Sequence, residues 1–143
     1  MIEGFVVNTY DALNYDIDFP FLEDKRLDNI IYNHYAYKNI INGCMTEDIY
    51  SKSYRCRLNG IEINSKISKK QIKQYSYYVK QMIDRYDGQI HLIIKGVDIF
   101  NRLLVDVYIG GKNLCDLLLK ISLHDKTVPF VVYHSYKYKN KKY

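Results

Sequence analysis

The side chains in this sequence best suited to chemistry are two arginines, Arg57 and Arg102, with the acids and lysines around them. Arg102 stands immediately before a run in which Leu103, Val105, Val107 and Ile109 alternate with Leu104, Asp106 and Tyr108. That is the two-residue period of a strand with one core-facing side. A side chain at the mouth of such a strand can reach a ligand instead of the core. Arg57 lies in a second strand-like run, Ser53 to Ile63. A guanidinium is a planar fork able to bind two phosphate oxygens at once, so these residues point to phosphate recognition, the other use of each being a surface ion pair. Lys66, Lys69, Lys70 and Lys73 form one cluster of further cations, and Lys137, Lys139, Lys141 and Lys142 form another. Both can meet phosphates, although each alone also reads as a solvated helix face or a frayed tail. His91 has no evident catalytic partner. Cys44, Cys56 and Cys115 have neither an even count nor metal-ligand spacing and are expected to behave as small buried hydrophobes.

The elements that must position these residues can be read from periodicity. With 143 residues and 48% hydrophobic content the chain is expected to form one domain with a core that needs no staples. Gly4 to Tyr10 and Tyr15 to Phe21 predict a strand hairpin, with Ile17, Phe19 and Phe21 on one side and Asp16 and Asp18 on the opposite, solvent-directed side. Over Glu23 to Lys52 the spacing of Leu27, Ile30, Ile31, His34, Tyr35, Lys38 and Ile41 predicts an inserted amphipathic helix, with Gly43 as its stop. Its apolar stripe either packs on the outside of the domain or offers a surface to a protein partner. Ser68 with Gln71 is a capping box. It opens a helix whose buried stripe is Ile72, Tyr75, Val79, Met82, Ile83 and Tyr86, with Gly88 as the stop. Ile90 to Val97 is the next strand, and Leu103 to Ile109 follows it. After Gly110-Gly111, Asn113 caps a helix carrying Leu114, Leu117, Leu118 and Ile121. Thr127 to Tyr138 reads as a final extended segment running into a basic tail at 137–143. Five strands with a helix between the third and fourth is the order of an OB-fold barrel. The expected class is therefore α+β, a five-stranded OB-fold barrel with helices and one inserted segment at about 23–52.

Two stretches resemble the staphylococcal-nuclease-like family. That family carries approximately D-x-Y-G-R-x-L-A-x-V-x-x-x-G-x-x-[VL]-N before a leucine-rich helix, and here Asp98 to Leu114 reads D-I-F-N-R-L-L-V-D-V-Y-I-G-G-K-N-L. It also carries R-L-x-G-I-D-x-P-E, matched by Arg57-Leu58-Asn59-Gly60-Ile61-Glu62 and then lost, because Asn64 stands for the proline and Ser65 for the glutamate. The likeness extends over about Gly4 to Leu22 and Ser53 to Phe130. It implies a phosphate clamp made of Arg57 and Arg102, with Lys66, Lys69 and Lys70 nearby. It implies a metal-binding role for Glu62 and Asp11 if calcium is bound at all. The family's D-G-D-T loop falls on Asp11-Ala12-Leu13-Asn14, so Leu13 replaces a metal ligand, and a leucine offers no oxygen to a hard cation. Ser65 replaces the residue that activates the attacking water.

What the resemblance implies for activity is divided. Loss of a general base forfeits about 10²–10⁴ in rate, and loss of the metal removes several kcal/mol of charge stabilisation besides. The first expectation is a nuclease-like domain that binds nucleic acid or nucleotide phosphate through Arg57 and Arg102 with impaired or absent phosphodiesterase activity. The second is a calcium-dependent nuclease with a relocated acid site drawn from Asp11, Asp16, Asp18 or Glu62. The third is a protein-interaction module that uses the scaffold and the 23–52 segment, since fold alone does not fix function. Expected partners are nucleic acid, DNA or RNA, held weakly, and a protein through 23–52. No apolar run is long enough to cross a bilayer, and no secretory leader is read at Met1-Ile2-Glu3. An intracellular, cytoplasmic or nuclear setting is expected.

Overall fold

The computed structural model describes residues 2–18, 45–47, 52–121 and 128–135. Their elements, in chain order, are β1 (Ile2–Thr9), β2 (Asn14–Asp18), β3 (Met45–Glu47), β4 (Lys52–Leu58), β5 (Ile61–Ile63), α1 (Lys69–Asp84), β6 (Gln89–Val97), β7 (Leu103–Ile109), β8 (Lys112–Asn113), α2 (Leu114–Lys120) and β9 (Val131–Tyr133). The main sheet runs β3-β4-β2-β1-β6-β7-β8, and an additional pairing of β4 with β7 joins it into a ring. That closing pair is parallel, with Arg57 opposite Leu104; the other pairs around the ring are antiparallel. Strands β1, β2, β4, β6 and β7 thus form a closed five-stranded barrel, and α1 connects its third and fourth strands. This is the OB-type arrangement expected from the order of elements.

Alternation explains how the barrel fills. Tyr15 and Ile17 of β2, Tyr54, Cys56 and Leu58 of β4, Ile90, Leu92 and Ile94 of β6, and Leu103, Val105, Val107 and Ile109 of β7 are all buried in one core. The intervening residues face outward. Where β1 crosses β2, a Cβ on Gly4 would come 2.9 Å from Ile17 Cγ2, so the close approach of the two strands needs a residue without a side chain. Helix α1 closes the barrel with Tyr75, Val79 and Ile83, and Tyr75 stacks on Phe130 with ring centroids 4.0 Å apart. Its first turn holds the capping box read from the sequence: Gln71 N donates to Ser68 Oγ at 3.2 Å, and Ser68 N donates to Gln71 Oε1 at 3.1 Å.

Three details differ from the periodicity. The run Ser53 to Ile63 is not one strand. Gly60, at φ +79°, turns the chain after Leu58, and Ile61–Ile63 leaves the barrel to pair with β9. Helix α1 ends at Asp84, so Tyr86 falls beyond it and is 48% exposed. Asp16 does lie opposite the core, but it is only 2% exposed. Within the expected 23–52 insertion, Met45–Glu47 is a strand antiparallel to β4. The helix expected from Leu27 to Ile41, the basic tail at 137–143 and Cys44 lie outside the described residues. No helix among the described residues is long and apolar enough to cross a membrane.

Candidate phosphate-binding site

Two loops at one end of the barrel are each built around an aspartate. In the β1–β2 loop, Asp11 Oδ1 accepts from the backbone of Leu13 at 2.7 Å and of Asn14 at 2.9 Å, a turn in which the side chain stands in for a backbone carbonyl. Asn14 Nδ2 donates to both Asp11 oxygens at 3.0 Å. In the β6–β7 loop, Asp98 is 1% exposed, and its Oδ1 accepts from Phe100 N and Arg102 N, each at 2.9 Å. Asn101 adopts φ +60° there, a conformation asparagine tolerates better than most residues. Asp98 Oδ2 is left to accept from Arg102 Nε at 2.7 Å. The loop and the guanidinium are therefore fixed by one carboxylate.

The two loops meet at Asn14. Its Oδ1 accepts from Arg102 Nη1 at 3.3 Å, while its Nδ2 faces Asp11, which also fixes which way the amide points. Asn14 is the register partner of Arg57 on β4, and alternation places both on the outer face, since their neighbours Tyr15 and Cys56 are in the core. Asn14 thus bonds Arg102 and stands opposite Arg57 in the β2–β4 register. Arg57 also lies close enough to Tyr15 to oppose part of the rise that burial, Asp11 and Cys115 impose on the Tyr15 hydroxyl. Arg102 is half-buried, its guanidinium 5.2 Å from the Phe100 ring centroid, and Phe100 is 69% exposed.

One step along the same outer face is a second group. Asp16 is the register partner of Arg55, and the two face each other with Nε 3.8 Å from Oδ1. Asp16 Oδ2 accepts from Asn8 Nδ2 at 3.2 Å and from the Tyr10 hydroxyl, whereas Asp16 Oδ1 is buried and accepts no hydrogen bond. The bond to Asp16, followed by burial and the Asp16 charge, raises the Tyr10 pKa. The Arg55 guanidinium lies 5.4 Å from the centre of the Tyr10 ring.

The other residues singled out from the sequence have their own surroundings. Ser65, Lys66, Lys69 and Lys70 are exposed around the start of α1. Asn64 shapes that turn, donating through Nδ2 to Pro129 O at 3.0 Å and accepting from Lys66 N at 3.1 Å. Glu62 projects from β5 toward His134, with Oε2 3.3 Å from Nδ1. Leu13 is 0% exposed and belongs to the core, so it is a packing residue and not an empty ligand position. Cys56 is buried and Cys115 partly so; burial above all pushes the Cys115 thiol up to about 12. Calcium takes six to eight oxygens. Asp11 accepts from N–H donors, one oxygen of Glu62 faces His134, and no group of three or more His, Cys, Asp or Glu among the described residues could hold a metal ion. These donors do not fit calcium.

Periodicity and motif did not single out Asn14 as the junction, Asp98 as the anchor of Arg102, or the Tyr10–Asp16–Arg55 group. Signals for the first two were present. Asp11 and Asn14 have the spacing of a side-chain-capped turn, and an acid four residues before an arginine at a loop is a ready ion pair. No family model matches this chain, and no curated protein matches it in sequence.

Proposed function

We propose that this domain binds the phosphate of nucleic acid or a nucleotide between Arg57 and Arg102 and does not cleave it efficiently. The observation that carries this is Arg102 held by Asp98 and bonded to Asn14, the residue that stands opposite Arg57 across the β2–β4 pair. A guanidinium pinned through Nε and Nη1 has lost its rotamer freedom in advance, and pre-organisation of this kind lowers the cost of binding. The resemblance to the staphylococcal-nuclease-like family supports the same residues, and an OB-type barrel commonly presents such a site on its second and third strands and adjoining loops.

Weak hydrolysis follows from what stands beside the clamp. A phosphodiester is cut when a water is deprotonated in line with the leaving oxygen and charge on the phosphoryl oxygens is countered. Two arginines meet the second need. For the first, Ser65 is a poor base, Leu13 is in the core, and Asp98 and Asp11 are consumed in holding loops. Labelled single- and double-stranded DNA and RNA, titrated across salt concentrations and incubated with calcium, magnesium or chelator, test both halves. The expected result is binding that weakens with salt and is lost in Arg57→Ala and Arg102→Ala, without divalent-dependent cleavage. Cleavage abolished by chelator and by Glu62→Gln overturns the second half, and salt-independent or absent binding overturns the first.

A further inference from the structure

The outer face of β2 and β4 carries two similar rungs. In the first, Asn14 stands opposite Arg57 and bonds Arg102, beside the exposed ring of Phe100. In the second, Asp16 stands opposite Arg55, beside the ring of Tyr10, which is 56% exposed. Arg55 and Arg57 are two residues apart on one strand, so their Cα atoms are separated by about 6.6 Å along the same face. We infer that the second rung is a further subsite, and that the ligand is an extended single strand of nucleic acid whose neighbouring phosphates meet Arg57 and Arg55 and whose bases stack on Phe100 and Tyr10. This rests on the clamp proposed above and specifies its ligand.

Charge and geometry favour that occupant. Asp16 is buried beneath Arg55, and the closest approach of the pair engages Nε at 3.8 Å, beyond hydrogen-bond reach. The part of Arg55 nearest the acid is Nε, not the fork of Nη1 and Nη2 that binds phosphate oxygens in pairs, and the side chain, which also meets the Tyr10 hydroxyl, is 47% exposed. Asp16 therefore stations Arg55 from the Nε side. The Tyr10 ring is held in turn by its hydroxyl on Asp16. Rings fixed next to arginines suit unstacked bases, which duplexes do not offer, and base–aromatic stacking is largely indifferent to sequence.

The test compares a mononucleotide with a short oligothymidylate, each titrated against the intact chain at several salt concentrations. Arg55→Ala is expected to weaken oligomer binding and flatten its salt slope by about 0.7, with mononucleotide binding unchanged. Tyr10→Ala is expected to weaken oligomer binding about tenfold, and Tyr10→Phe, which keeps the ring but loses its hold on Asp16, to weaken it less. Because Arg55→Ala leaves buried Asp16 without its cation, Arg55→Gln combined with Asp16→Asn removes both charges and serves as the folding-safe variant. If Arg57→Ala weakens both ligands while the Arg55 variants weaken neither, the second subsite is refuted and the clamp stands. If no arginine variant affects either ligand, both fall. Equal or tighter binding of duplex overturns the single-strand assignment.

Discussion

Replacing Asp98 by asparagine tests the site at its anchor. The substitution keeps an oxygen for Phe100 N and Arg102 N, which Oδ1 accepts at 2.9 Å each, but it puts an amide N–H₂, itself a donor, where Oδ2 now accepts from Arg102 Nε at 2.7 Å. Asp98 is 2% exposed at the side chain and Arg102 22%, so water replaces little of what is lost. A hydrogen bond to a charged group contributes about 1.5–3 kcal/mol. Stranding one member of a fully buried pair costs about 3–5 kcal/mol, and the partial exposure of Arg102 sets the expectation toward the lower figures, about 2–3 kcal/mol for Asp98→Asn. Asp98→Ala also removes an acceptor from two loop amides and should cost about 1 kcal/mol more.

The assay is a double-mutant cycle by urea unfolding, pairing Asp98→Asn with Arg102→Met, which keeps an apolar stem against Phe100 while removing the charge. If the ion pair holds the loop, the double variant is less destabilised than the sum of the singles by about 2 kcal/mol. Phosphate binding should fall in Asp98→Asn although Arg102 is intact, because the guanidinium is no longer positioned. Additivity of the two substitutions to within about 0.5 kcal/mol would mean that Asp98 and Arg102 act independently, and the pre-organised clamp would be refuted.

Three further outcomes are expected. Leu13→Asp, the change that would restore a calcium ligand by sequence, places a carboxylate at a position with 0% exposure and should abolish cooperative unfolding or lower stability by several kcal/mol; Ser65→Glu, on an exposed turn, should leave the urea midpoint nearly unchanged. Cys115 keeps its proton to about 12 in the folded chain, against 9.0 for a free thiol; its contribution to stability is therefore intact below about pH 9 and is lost as pH rises toward 12, because only the unfolded chain releases the proton there. Stability measured across that range should decline less in Cys115→Ala, and an equal decline would refute the assignment. Ser68→Ala removes the acceptor of Gln71 N and should cost about 1 kcal/mol, read as a lower thermal midpoint.

Much of the barrel was legible because its strands are buried on one side and so carry a period of two. Leu103, Val105, Val107 and Ile109 announce both the strand and its core face, and the Ser68–Gln71 box fixes where α1 begins. The turn at Gly60 leaves a trace in the sequence, since the alternation slips by one residue between Leu58 and Ile61, where a φ of +79° redirects the chain. Asp16 shows the limit more sharply. Periodicity set it opposite the core, which is correct, but the outer face of a strand is not solvent by default. Tyr10, Asn8 and Arg55 come from other parts of the chain to meet it, and Leu104, also outward, is likewise 0% exposed. Leu13 illustrates a different gap: a motif comparison marks what a residue is not, whereas its place in the core shows what it is.

The allocation of acids bears on whether the site cuts or holds. Hydrolysis requires a carboxylate free to take a proton from water or to bind a metal, with at least one lone pair directed at the substrate. Asp98 spends one oxygen on two loop amides and the other on Arg102. Asp11 receives four N–H contacts from Leu13 and Asn14. Asp16 lies under Arg55 and Tyr10, with its unbonded oxygen buried. Each of these acids therefore positions a loop or an arginine, its oxygens engaged with neighbouring donors and cations of the protein itself. Carboxylates used to station cations fit the proposed clamp on a phosphate diester, and the same use withdraws them from the chemistry that would break one.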